Sequence, residues 1–168
     1  VPAGVNFFGA PTEAYDHYPV ELDILRKDFD ITDNPEEADF AIAFVNSPNS
    51  PGYDYAERLG GGNGYLPISL QHADYVAENA RVQSIAAGDP VVDPTITNRS
   101  YKGKTALSNQ RYDLPMMQDL REKMGDKPII LVMTVRNPVV FAQMEPLVDG
   151  ILLDFGVQTA AIMDIITG

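Results

Sequence analysis

Apolar and polar positions alternate along this chain in the manner of strands and helices taken in turn. Phe40 to Val45 is a continuous apolar run that breaks abruptly into a polar, proline-punctuated stretch from Asn46 to Glu57. That pattern predicts a buried strand feeding a rigid loop. Val5 to Phe8 is a short strand candidate, Val20 to Lys27 has the leucine spacing of a short amphipathic helix, and Phe29 to Thr32 is a further short strand candidate. Asn34-Pro35-Glu36-Glu37 is a helix-start signature, with a capping asparagine, proline at the first helical position and acids in the first turn.

From Asn46 to Asn109 prolines and glycines make the pattern irregular, with a helix-like interruption over Ala73 to Ala80. Regular alternation then resumes. Leu114 to Met124 reads as a helix with Met117, Leu120 and Met124 on one stripe and Gly125 as its stop. Pro128 to Val135 is an apolar, β-branched run of the kind buried in a parallel sheet. Asn137-Pro138 starts a short helix through Met144, Gly150 to Asp154 is another strand, and Gln158 to Ile166 another helix. The succession predicts an α/β fold, a three-layer sandwich with a mostly parallel sheet, flavodoxin-like in appearance. The runs 40–45, 129–135 and 150–154 are expected in one sheet with their carboxyl ends together, where α/β proteins meet their ligands.

Length and charge narrow the reading. At 168 residues, 45% of them hydrophobic, the chain is expected to be a single domain spanning residues 1–168, with a long loop region over about 46–109. A formal charge of −12 argues against nucleic acid and anionic membrane as partners, since phosphate-rich surfaces would repel it. The chain has no cysteine, which removes thiolate metal sites and cysteine nucleophiles. His17 and His72 lack metal-site spacing, so no metal is expected. No apolar run approaches the ~18 residues that span a bilayer. The start at Val1, without methionine or a signal-like segment, suggests a piece of a longer precursor.

Three blocks carry a family resemblance. Glu37-Ala38-Asp39-Phe40-Ala41-Ile42 leading to Gly52-Tyr53-Asp54, then Ile129 through Val140 with its Arg136-Asn137-Pro138 turn, then Ile151 through Gly168 with Gly156-Val157-Gln158, resemble in this order the carboxyl-terminal α/β sandwich domain of glycoside hydrolase family 3, the β-glucosidase type. The resemblance implies a retaining hydrolase of β-linked glucosides, without a cofactor, periplasmic or secreted. In that family an amino-terminal barrel carries the aspartate nucleophile, and this domain closes over the site and commonly lends the general acid/base. Retaining hydrolysis needs two carboxyl groups about 5–5.5 Å apart. The isolated domain, lacking the barrel, is therefore expected to be inactive.

Where the family places its acid glutamate this chain holds Asn46, Ser47, Pro51 and Gly52. The nearest carboxylates, Glu57 and then Asp54, are the candidate proton donors, set against ordinary roles as a solvated loop acid and a turn-stabilising side chain. Tyr53, Arg99, Tyr101 and Lys102 are candidate substrate-binding residues, because aromatic faces stack on sugars and cationic heads hydrogen-bond hydroxyls. The run Gly60-Gly61-Gly62-Asn63-Gly64 follows no strand and lacks a phosphate-binding ending, so it reads as a flexible turn. The alternative to the hydrolase is a non-catalytic carbohydrate-binding or interaction domain.

Overall fold

The computed structural model describes residues 4–5, 11–12, 18, 20–61, 64–82 and 100–168, and these fall into two compact units, 1–33 with 156–168 and 34–155. The larger unit holds a three-stranded parallel sheet, β3 (Ala41–Asn46), β6 (Ile129–Thr134) and β7 (Gly150–Asp154), with β6 in the middle. Ala41 pairs with Ile129 and Asn46 with Thr134, while Ile130 pairs with Gly150 and Thr134 with Asp154. The three apolar runs thus share one sheet and end side by side at Asn46, Thr134 and Asp154. Helices, this parallel sheet and a small antiparallel pair, β4 (Tyr75–Val76) with β5 (Thr105–Ala106), make an α/β fold.

The core follows from period-two alternation. Ala43, Val45, Ile129, Leu131 and Met133 share one sheet face and are buried with Met117 and Met124 of helix α3 (Asp113–Met124) and with Met144. The alanines of β3 leave space, and unbranched methionines adapt to fill it. Helix α3 stops at Gly125, whose φ of 59° suits glycine and whose N–H bonds the Arg121 carbonyl at 3.0 Å. At the amino end of the sheet Arg121 donates to the carbonyls of Leu147, Gly125 and Lys127 and to Asp149, which in turn accepts the Ile129 N–H.

Several local expectations are corrected. Asn34 does accept from the Glu36 N–H, but the segment closes a single turn before β3 begins, too short to nucleate a helix. Phe29 to Thr32 is irregular. Ala73 to Ala80 contains strand β4 instead of a helix, because Tyr75 and Val76 find a ladder partner in Ala106 and Thr105. Residues 137–144 supply only a 3-10 turn, Phe141–Gln143, followed by a second, Glu145–Leu147, with Pro146 denying a longer helical ladder.

In the smaller unit β1 (Gly4–Val5) pairs antiparallel with β2 (Pro11–Thr12). Positions 6–8 of the strand expected there lie outside the described residues. Helix α1 (Leu22–Leu25) lies against α4 (Thr159–Thr167), with Leu25, Ile162 and Met163 buried. Helix α2 (Tyr55–Leu59) belongs to the loop after β3.

Candidate functional site

At the carboxyl ends of the strands Ser47 is 3% exposed, and its hydroxyl accepts the Arg136 N–H at 2.9 Å and the Asn137 N–H at 3.4 Å. The amide of Asn137 reaches the Pro48 carbonyl, and Thr134 Oγ1 lies 3.1 Å from Asp154 Oδ2. This clasp fixes the Arg136-Asn137-Pro138 turn against the loop that leaves β3. Farther along, Asn49 is joined to Asn109 and Gln110 just before α3. Asn46 stays exposed on the crest.

The next stretch closes on itself. Tyr53 and Tyr65 form an antiparallel bridge, flanked by Asp54 N–H to Gly64 carbonyl at 2.8 Å and Leu66 N–H to Gly52 carbonyl at 3.1 Å. Their rings meet edge to face at 5.3 Å. Gly64, at φ 76°, is required there, since a Cβ would lie 2.7 Å from the Tyr53 ring. Inside the loop Asp54 caps α2 by accepting the Ala56 N–H at 2.8 Å. Glu57 accepts the Gly64 N–H and pairs with Lys104 at 2.8 Å. The Lys104 hydrogen bond, followed by that from Gly64, lowers the Glu57 pKa. A proton donor needs the reverse shift. In this structure Glu57 braces the loop through Lys104 and Gly64, and Asp54 gives one oxygen to its helix.

Lys104 also brings together candidates far apart in sequence. Its Nζ donates to the Tyr65 carbonyl at 2.8 Å and its backbone N–H to the Tyr101 carbonyl at 2.9 Å, so the turn carrying Tyr101 and Lys102 is fastened to the loop carrying Tyr53, Asp54 and Glu57. Tyr53 is half exposed, with its hydroxyl 3.4 Å from Arg58 Nη1. Tyr101 borders a groove of about 360 Å³ with Ile68, Tyr75 and Val76. Lys102 is exposed, its backbone held by the Ser100 hydroxyl. Arg99 lies outside the described residues. Lys104 belongs to a basic cluster visible in the sequence, yet only the fold shows that it is the member that pairs with Glu57.

His72 is a further residue that no sequence pattern singles out. It is fully buried, and neither ring nitrogen makes a hydrogen bond among the described residues. Burial lowers its pKa, and the Asn46 backbone acts second, in the opposite sense. Its segment is pinned by Ser69 N–H to Ser50 Oγ, Val140 N–H to the Leu70 carbonyl and Ala73 N–H to Gln143 Oε1. Among the described residues no cluster of three or more acids and histidines could hold a metal, and no helix is long and apolar enough to cross a membrane.

Fold and site define an α/β domain with a clasped polar crest at the carboxyl ends of three parallel strands and a braced aromatic loop beyond it. No protein-family model, curated protein or solved structure matches the chain.

Proposed function

We propose that the chain is the accessory α/β domain of a family 3 type glycoside hydrolase acting on β-linked glucosides, and that its crest and aromatic loop form one wall of the active site. One observation carries this reading. The strand-and-turn blocks that resemble the family lie in one parallel sheet, and the loop with Tyr53 leaves that sheet beside the Arg136-Asn137-Pro138 turn, at the edge where α/β proteins bind ligands. Tyr53 and Tyr101 offer faces for sugar rings. Glu57 and Asp54 shape the wall and remain the loop's candidate proton donors, with the lowered Glu57 pKa weighing against Glu57.

The chain alone should not turn over an aryl β-glucoside, since half of a two-carboxylate site cannot complete retaining hydrolysis. Turnover well above the uncatalysed rate would overturn the reading. In the precursor with its barrel, Glu57→Gln and Asp54→Asn should reduce turnover of a disaccharide and of a dinitrophenyl glucoside alike. A loss confined to the disaccharide, whose poor leaving group needs protonation, would instead make the altered residue the proton donor.

A further inference from the structure

Buried side-chain nitrogens without partners are rare in folded proteins, because each costs its lost hydration. His72 presents two of them at 0% exposure. As a neutral ring it leaves one donor and one acceptor unmet; with a second proton it becomes a buried cation with two donors, for which the Asn46 backbone offers partial compensation that burial outweighs. Among the described residues no charge offsets this. The segments packed around 69–73 carry Asp74, Arg136 and Glu145, all three exposed, and none of them acts on the ring. Asp74 is already used by the Ser108 N–H at 2.8 Å.

We propose that His72 is an acid-sensitive seat for the crest: when its ring takes up a proton, segment 69–73 leaves its buried position and loosens the chain that follows β3. The coupling runs through named bonds. Leaving breaks the Ser69–Ser50 bond to the loop after β3, and the Leu70–Val140 and Ala73–Gln143 bonds to the turns after β6. The direction follows from linkage. Burial holds the folded pKa below the ordinary histidine value of 6.5, so the opened state binds the proton first. The seat is therefore fully held above about pH 6.5 and is lost as pH falls toward the lowered folded value. This inference does not depend on the glycosidase reading.

Amide hydrogen exchange of the full chain between about pH 7.5 and pH 5, corrected for intrinsic rates, tests it. Opening at the Ser69, Ala73 and Val140 amides should rise about tenfold or more on acidification, while the Ile129 amide at the opposite end of the sheet stays constant. Equal behaviour of all four overturns the proposal. His72→Phe keeps a ring of similar bulk and should abolish the pH response; a response that persists overturns it equally. If that variant does not fold, the ring titration decides, read in a His17→Gln background where His72 is the remaining imidazole. A midpoint below 6.5 that coincides with shifts of the Ser69 and Val140 amides sustains the proposal. A midpoint at 6.5 or above, or a titration without those shifts, refutes it.

Discussion

Lys104 Nζ lies 2.8 Å from Glu57 Oε1 and 2.8 Å from the Tyr65 carbonyl, so a single ammonium ties both limbs of the loop after β3 to the start of β5. Both side chains are partly shielded, at 21% and 29% exposure, and the pair ties the part of the loop around α2 to residues before β5.

Removing that tether should free the loop while leaving the core intact. Lys104→Met and Glu57→Gln should each raise the rate of tryptic cleavage after Arg58 several-fold, with a thermal midpoint within about 2 °C of the parent. The pH dependence has a definite sign. Because the folded Glu57 pKa is lowered, the brace is complete above the ordinary value of 4.5 and fails only as pH falls through the lowered one. Cleavage by an acid-active protease should therefore stay slow at pH 5. Nicking of Lys104→Met at the parent rate would show that the bridge alone holds the loop.

Gly64 sets the geometry of the same loop from inside. A methyl group there meets the Tyr53 ring at 2.7 Å and must also adopt a φ of 76°. Gly64→Ala should cost about 1–3 kcal/mol of local stability and flatten the near-ultraviolet circular dichroism from the Tyr53–Tyr65 pair. In a double-mutant cycle Tyr53→Ala should absorb the steric part and leave the backbone part, giving a non-additive pair. Additive costs would mean that the ring already moves aside freely.

What could be read from the sequence divides along a physical line. Phe40 to Val45, Ile129 to Val135 and Gly150 to Asp154 announce themselves because burial on a sheet imposes long apolar runs, and they do form one parallel sheet. Leu114 to Met124 is legible from its stripe and its glycine stop, and begins one residue earlier. Ala73 to Ala80 is misread because the pairing of Tyr75 with Ala106 is a contact 31 residues away that no local pattern encodes. The site shows the same limit. Asp54 and Glu57 could be named as carboxylates, but the fate of each depends on Ala56, Gly64 and Lys104, which only folding brings to them. His72 carries no signal at all in the sequence beyond being one of two histidines.

Two neighbouring methionines test the assignment of the core. Met117 is fully buried among Ala43, Leu131 and Met133, whereas Met116, one position earlier on α3, is 48% exposed. Met117→Ala should cost about 2–4 kcal/mol in urea unfolding, because it leaves a cavity between helix and sheet. Met116→Ala should fall within about 0.5 kcal/mol of the parent. Similar costs for both would mean that α3 packs on the sheet through a different face.

Arg121 offers the sharpest contrast between charge and geometry. Its guanidinium satisfies three carbonyls, of Leu147 at 2.8 Å, Gly125 at 2.9 Å and Lys127 at 3.0 Å, as well as Asp149 at 2.6 Å, so it joins the end of α3 to the starts of β6 and β7. A lysine carries the same charge but cannot present a planar fork of donors to four acceptors. Arg121→Ala should therefore cost about 2–3 kcal/mol, and Arg121→Lys should recover less than half of that loss. Asp149 supplies an internal control. Its pKa is lowered first by the Ile129 N–H and second by Arg121, so in Arg121→Ala it should titrate closer to, but still below, its ordinary value of 3.8. Its stabilising contribution is present above that value and is lost as pH falls through the lowered one, so under strongly acidic conditions the gap between parent and variant should narrow by the Asp149 share while the part due to the three carbonyls persists. Full rescue by lysine would show that attraction between opposite charges, and not the fork of hydrogen bonds, holds this end of the sheet together.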